Sequence, residues 1–268
     1  MNTRVAVAGA TGRLGTLICD IVDADPALDL VARITSASAP ETGAEADILV
    51  DVSHPDASPD IVSRALDRGQ RVLIGTSGWS ESRLETLRAR LESEPDAAVI
   101  VVPNFSLGSV LGTTLARVAA PFFDAIEIIE AHHPGKVDSP SGTAVRTAEL
   151  VAAARQGRPV DAPFADQPAR GELVAGIPVH SLRLAGVVAK QEVRFGGAGE
   201  VLTITHDTHS SEAYRAGIRA ALAALPAARG LTVGLDGVLG LDRVLADPAS
   251  PEAASPEAAT ADDPGSRA

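Results

Sequence analysis

What this sequence lacks narrows it before any motif is read. It holds one cysteine in 268 residues, so no intrachain disulfide can form. Cys19 sits inside an apolar helical pattern and reads as a buried structural thiol, not a reactive one. No stretch approaches the ~18 consecutive apolar residues of a membrane span. The first residues run straight into a strand-like segment, without the charged stretch and apolar core of a signal peptide. The expectation is a cytoplasmic protein with no membrane partner. Basic runs are also missing, and the formal charge is −12. That excludes a nucleic-acid partner as the expected one, because phosphate backbones are gripped by concentrated basic surface. Aromatics are only 3% of residues, so the 45% hydrophobic content is carried mainly by Ala, Val, Leu and Ile. With 22% charged residues this is the balance of a soluble globular chain, long enough for one large domain or two smaller ones.

What is present alternates. Arg4 to Ala8, Leu28 to Ile34, Ile48 to Val52, Arg71 to Ile74 and Ala98 to Val102 are short apolar runs that read as strands. Between them lie helical patterns: Leu14, Leu17, Ile18, Ile21 and Val22; then Ile61, Val62, Ala65 and Leu66; then Ser80 to Leu91. Apolar strands without polar alternation, separated by helices, predict a parallel sheet covered on both faces, a doubly wound Rossmann-like α/β domain. After about Phe105 the pattern changes. Val110 to Ala119 and Thr143 to Ala154 look helical, Ala125 to Glu130 looks like a strand, and Gly157 to Pro178 reads as a long loop. Val179 to Leu184, Gln191 to Phe195 and Val201 to His206 are further strands, the last with visible alternation, which predicts a mixed or antiparallel sheet in an α+β unit. Ser211 to Leu225 is a final amphipathic helix. Residues 247–268 are rich in Pro, Ala, Ser and acids, and are expected to form a disordered acidic tail.

A glycine-punctuated turn, Gly9-Ala10-Thr11-Gly12-Arg13-Leu14-Gly15, lies between the first strand and the first helix. Glycines there allow a tight turn and close approach of a pyrophosphate to backbone N–H groups at a helix start. The spacing is G-x-x-G-x-x-G instead of the commoner G-x-G-x-x-G, so taken alone it also fits an ordinary turn. No acid follows the second strand until Glu41, whereas an NAD site normally places one there. Arg33, with Arg13 nearby, suits the extra phosphate of NADP, or else Arg33 simply faces solvent. The expected cofactor is therefore NADPH, NADH or both. Gly75-Thr76-Ser77-Gly78 and Val102-Pro103-Asn104-Phe105 follow strand ends, where open parallel sheets bind ligands; each is either a nicotinamide contact or a plain loop.

The densest chemistry lies in the run Glu130-Ala131-His132-His133-Pro134-Gly135-Lys136, continuing through Val137-Asp138-Ser139-Pro140 to Ser141-Gly142-Thr143-Ala144. Ser141 is placed as the N-cap of a helix whose free N–H groups, with Lys136 close by, can hold a carboxylate. A histidine titrates near neutrality and can donate a proton. Paired histidines are often surface or structural groups, and His-His-x-x-Lys is not a zinc pattern, so no metal is expected; the adjoining anion site favours catalysis.

At these residues the chain resembles the 4-hydroxy-tetrahydrodipicolinate reductase (dihydrodipicolinate reductase) family. E-A-H-H-P-G-K-V-D-S-P-S-G-T-A looks like the family signature. G-A-T-G-R-L-G, G-T-S-G-W at Gly75 to Trp79, P-N-F-S at Pro103 to Ser106, I-P-V-H-S-L-R-L and F-G-G-A-G-E-V-L-T-I-T-H-D agree in order and spacing. The resemblance implies a dinucleotide domain from residues 1–105 and 210–246 and a substrate and tetramerisation domain from 106–209. It implies reduction of a cyclic dicarboxylate by NAD(P)H on the route to diaminopimelate and lysine. By motif, His132 would be proton donor or acceptor and Lys136 a second donor. His133, Gly142 and Thr143 would hold the dicarboxylate, with Ser141 in support. Gly9, Ala10, Thr11, Gly12, Arg13, Leu14, Arg33, Gly75, Thr76, Ser77, Val102, Pro103, Asn104 and Phe105 would serve the cofactor. The chain departs from relatives at Ser77, which keeps a hydroxyl, and near Ser211, where relatives often carry an arginine. A short-chain dehydrogenase would need Tyr-x-x-x-Lys, but Tyr214 is followed four residues later by Ile218. A non-catalytic nucleotide sensor would show a damaged catalytic segment, and His132, His133 and Lys136 are all present.

Overall fold

A computed structural model describes residues 2–241; the acidic tail expected at 247–268, and the end of the segment 210–246, lie outside the described residues. The first part of the chain builds β1 (Thr3–Ala8), α1 (Arg13–Asp23), β2 (Leu28–Ile34), β3 (Ile48–Asp51), α2 (Ser58–Asp67), β4 (Arg71–Ile74), α3 (Glu81–Glu92) and β5 (Ala98–Val101). β3 and β5 are buried at every position, because helices cover both faces of the sheet. α1 turns Leu17, Ile18, Ile21 and Val22 into that core, at the spacing of one helical face.

The chain then forms α4 (Leu107–Ala119), β6 (Ala125–His132), α5 (Gly142–Ala154), β7 (Glu172–Val174), β8 (Ile177–Arg183), β9 (Ala189–Gly197) and β10 (Glu200–Thr208). It closes with α6 (Arg215–Ala224), β11 (Gly230–Val233) and α7 (Leu235–Val238). Two sheets result. The first runs β11-β5-β4-β3-β1-β2 and is parallel throughout. Chain order reverses between β1 and β3, which opens a crevice at the carboxyl ends of those strands. The second sheet runs β10-β9-β6-β8-β7; β6 pairs parallel with β8 and antiparallel with β9. Ile126, Ile128, Val193 and Phe195 of this sheet pack with Ala144, Ala148 and Val151 of α5 in a separate core. The mixed sheet and the doubly wound domain expected from the pattern are both present.

Three elements differ from expectation. The stretch from Gly157 to Pro178 is not all loop: it holds a 3-10 turn at Pro168–Arg170, β7 and the start of β8. β7 and β8 form a two-residue hairpin in which Ala175 (φ 49) and Gly176 (φ 82) both take left-handed conformations. That turn normally advertises itself as Asn-Gly or Asp-Gly, and Ala-Gly hides it. The helix expected from Ser211 begins as a 3-10 turn over Ser211–Tyr214, continues as α6 and ends in a second 3-10 turn at Leu225–Ala227. β11 had no counterpart in the sequence pattern; its four residues, Gly230–Val233, opening on a glycine and followed by another, are too few to show a period.

Candidate active site

The glycine turn is built by steric exclusion. Gly9 has φ 82, and a Cβ there would lie 2.3 Å from the Val52 carbonyl oxygen. Gly15 begins the packed face of α1, and a Cβ there would meet the Gly9 carbonyl oxygen at 2.1 Å. The N-cap of α1 is Gly12, with no side-chain cap, so the first turn's N–H groups are not taken by a side chain of their own cap. Arg13 and Leu14 at that helix start line a cavity of about 530 Å³. An uncapped helix start beside a cavity is the arrangement that receives a phosphate. Ala10 is buried in the core, while Thr11 is exposed.

The other cofactor residues divide. Gly75, Pro103, Asn104 and Phe105 line the same cavity. Thr76 is buried and its hydroxyl donates to the Asp51 carbonyl at 3.2 Å; Val102 is buried in the core, leaving only its backbone for a ligand. Ser77 is exposed. Arg33 is more than half exposed and lies outside the cavity lining. Its guanidinium pairs with Asp23 on α1 at 2.5 Å, an exposed surface pair.

Asp51 was not among the residues singled out from sequence. It is fully buried, accepts Ser53 Oγ at 2.5 Å and binds the Ser58 hydroxyl, which in turn accepts Trp79 Nε1 at 2.9 Å. Its backbone carbonyl takes the N–H of Gly75 at 2.8 Å. One carboxylate thereby ties the loop after β3 to the Gly75–Trp79 block.

On the opposite wall, β6 ends at His132. Its Nδ1 lies 2.5 Å from Glu130 Oε2, so the carboxylate holds the ring by that nitrogen and leaves Nε2 for the cavity, which His132 lines. Glu130 is 0% exposed and also receives Arg183 Nη1 on both oxygens at 3.0 Å and the Ser141 N–H at 3.2 Å. Burial alone raises a carboxyl pKa, but the donors Ser181, His132 and Arg183 outweigh it and hold Glu130 below the usual carboxylate range. Burial pushes His132 below the ordinary histidine value; Glu130 pulls it back up, and Lys136 and Arg183 add to the depression. Lys136 Nζ pairs with Asp138 Oδ1 at 2.8 Å, an interaction that lowers the Asp138 pKa.

Ser141 caps α5 as expected: its Oγ accepts the Ala144 N–H at 3.2 Å. Ser141 and Thr143 line the cavity together with His132, His133 and Lys136; Gly142, the first residue of α5, is not part of the lining. Further residues that sequence did not single out for the site face the same space, among them Lys190 and Gln191 from β9, and His206 from β10. His206 Nε2 lies 3.1 Å from the hydroxyl of Ser106, the N-cap of α4, linking the second sheet to the Asn104–Ser106 segment. Burial lowers the His206 pKa. The lining carries Arg13, Lys136, Lys190 and three histidines but no acid, although the chain as a whole has a formal charge of −12. Such a cavity concentrates small anions.

The family model for dihydrodipicolinate reductase, N-terminus, matches residues 3–105, and that for dihydrodipicolinate reductase, C-terminus, matches 108–245. The chain is 55% identical over 243 residues to 4-hydroxy-tetrahydrodipicolinate reductase of Clavibacter michiganensis, covering 90% of this chain and 88% of that protein. It is 43% identical over 244 residues to the enzyme of the same name from Cutibacterium acnes, covering 89% and 99%. Among solved structures, dipicolinate-bound dihydrodipicolinate reductase from Paenisporosarcina sp. TG-14 superposes with a TM-score of 0.75 at 28% identity, covering 88% of this chain and 99% of that one. Both halves of the fold, matched in order and almost without a gap, carry the same family's sequence: the chain belongs to the dihydrodipicolinate reductase family.

Proposed function

We propose that this chain is an NAD(P)H-dependent 4-hydroxy-tetrahydrodipicolinate reductase of the diaminopimelate branch of lysine biosynthesis. One cavity touches both the start of α1 after the glycine turn and the His132–Thr143 segment, and this convergence carries the proposal. The turn Gly9-Ala10-Thr11-Gly12 with Arg13 and Leu14 would hold the cofactor pyrophosphate on uncapped N–H groups. Gly75, Thr76, Ser77, Val102, Pro103, Asn104 and Phe105 would border its nicotinamide end. When bound, the cofactor supplies a hydride to the substrate ring.

The chain's own residues do the rest. His133, Lys136 and the start of α5 at Ser141, Gly142 and Thr143 would hold a dicarboxylate, as the dipicolinate-bound relative suggests. An electron-rich reduced ring must be protonated, and His132 Nε2 and Lys136 Nζ would be its donors. A positioned general acid contributes about 10² to 10⁴-fold. Arg33, held by Asp23, is a weaker candidate for an NADP phosphate than Arg13, and both NADPH and NADH are expected to serve.

Residues 1–105 with 210–246 would form the nucleotide domain, since β11 joins the first sheet, and 106–209 the substrate and oligomer domain. α4 and α5 pack on one face of the second sheet, while Leu182 and Val201, on the other, are exposed, Val201 by 70%. A homotetramer formed through that face would cover them. No described helix is long and apolar enough to cross a membrane, and a cytoplasmic location suits a biosynthetic enzyme.

The test is a coupled assay in which dihydrodipicolinate synthase generates the substrate in place and oxidation of NADPH or NADH is followed. Turnover with either cofactor is expected. Folded protein that binds nucleotide yet turns over neither would refute the assignment. Sedimentation of the intact protein would check the tetramer, and a monomer would refute that part alone.

A further inference from the structure

We propose that Arg183 and Glu130 together are the positioning residues of the catalytic segment, fixing the ring of His132 and the loop that carries Lys136 as one unit. The inference rests on the function proposed above. Arg183 is the last residue of β8 and sits in register with His132, the last residue of β6. Its guanidinium reaches five acceptors. Nη1 donates to both Glu130 oxygens at 3.0 Å and to the Leu182 carbonyl at 2.7 Å, and Nε donates to the Lys136 carbonyl at 3.2 Å. Nη2 donates to the Asp138 carbonyl. One planar cation therefore staples the loop bearing Lys136 to the carboxylate that grips His132 Nδ1.

A lysine could not reproduce this, because an ammonium is a point charge without the planar fork that serves several acceptors in one plane. A buried ion pair is weak evidence for stability, since desolvation offsets much of its attraction. Here each partner has a second attachment on the catalytic segment: Glu130 to His132 and the Ser141 N–H, Arg183 to the carbonyls on either side of Val137. Stability alone would not require that arrangement.

The charged and titratable neighbours of His132 can be named. Glu130 shares its strand, and His133, Lys136 and Asp138 follow in the loop. Arg183 comes from β8 and Lys190 from β9, with His206 of β10 and Arg13 of α1 elsewhere on the cavity wall. Removing Arg183 removes a nearby cation and favours the protonated ring; removing the Glu130 charge does the opposite.

The experiment compares the wild type with Arg183→Gln, Arg183→Lys and Glu130→Gln. It measures kcat and KM against pH, NADH affinity, and the His132 titration by NMR without substrate. Arg183→Gln should lower kcat by about 100-fold, the cost of a small misplacement of reacting groups, with NADH affinity unchanged. His132 should titrate at higher pH in Arg183→Gln and at lower pH in Glu130→Gln. Arg183→Lys should restore the titration but not kcat, and it carries the test if the glutamine variant does not fold. Wild-type kcat in Arg183→Lys, or a His132 titration that stays put or moves the same way in both charge-removing variants, overturns the proposal. A wild type without turnover refutes the function instead, and the NMR titration still decides the positioning.

Discussion

His132 and Lys136 stand four residues apart, yet they are presented by different devices. His132 ends a strand and is held by a buried carboxylate at 2.5 Å. Lys136 rides a loop whose carbonyls are held by an arginine 47 residues further on. On the proposed function, replacing either by alanine would remove a proton donor without touching the glycine turn. Each variant should lose at least about 100-fold in kcat while NADH affinity is kept, read by steady-state kinetics and fluorescence titration. Near-normal kcat in both would remove them from the chemistry. The local part of this site was legible in sequence because His132 to Thr143 is contiguous. Glu130 lay inside the same run but gave no sign of its role, which depends on Arg183, 53 residues away. The Ser106–His206 contact spans 100 residues and could not be read from spacing. Arg33 shows the reverse: its charge was legible, but its pairing with Asp23, ten residues back on another element, was not.

At the scale of elements, the strands that showed themselves were those with mostly apolar runs or clear alternation: Leu28–Ile34 and Arg71–Ile74 form with the bounds the pattern gave. β7 and β11 did not, because three or four residues carry no period and because Ala175 stands where a turn-forming asparagine would announce the hairpin. Ala175 therefore holds a left-handed φ of 49, which costs a residue with a Cβ about 1–2 kcal/mol. Ala175→Gly should recover up to about 1 kcal/mol in chemical denaturation, part of the gain being offset by the freer unfolded chain. A clear loss of stability would contradict the strain. α1 offers the converse case. A Cβ on Gly15 would lie 2.1 Å from the Gly9 carbonyl oxygen and 2.8 Å from the Ala10 Cα, both backbone atoms that no rotamer change can clear. Gly15→Ala should cost about 1–3 kcal/mol as overpacking and displace the turn. NADH affinity should fall at least about tenfold, and an unchanged affinity would argue that the turn does not bind the cofactor.

For the molecule as a whole, the groups that titrate in acid shift one way among the described residues, while Arg4, Arg90, Lys190 and Cys19 are raised and act only in alkali. The acids with a resolved shift, Asp47, Glu127, Glu130, Asp138 and Glu192, are all lowered, and so are His132 and His206. A group whose pKa is lower folded than unfolded binds fewer protons in the native state, so it stabilises above its unfolded value and loses that contribution as pH falls. The histidines act first, below about 6.5, and the carboxylates only below about 4. His132 and His206 line the cavity between the two sheets, so acid should loosen their junction before it titrates the carboxylates. The thermal midpoint should therefore fall as pH is lowered from about 7.5 to 5.5, by about 2–4 °C for each kcal/mol lost in a chain of this size. His206→Asn takes one of the two histidines out of the titration and should flatten that slope. A midpoint that rises over this window, as it would if relief of the −12 charge dominated, would show that self-repulsion outweighs the buried imidazoles.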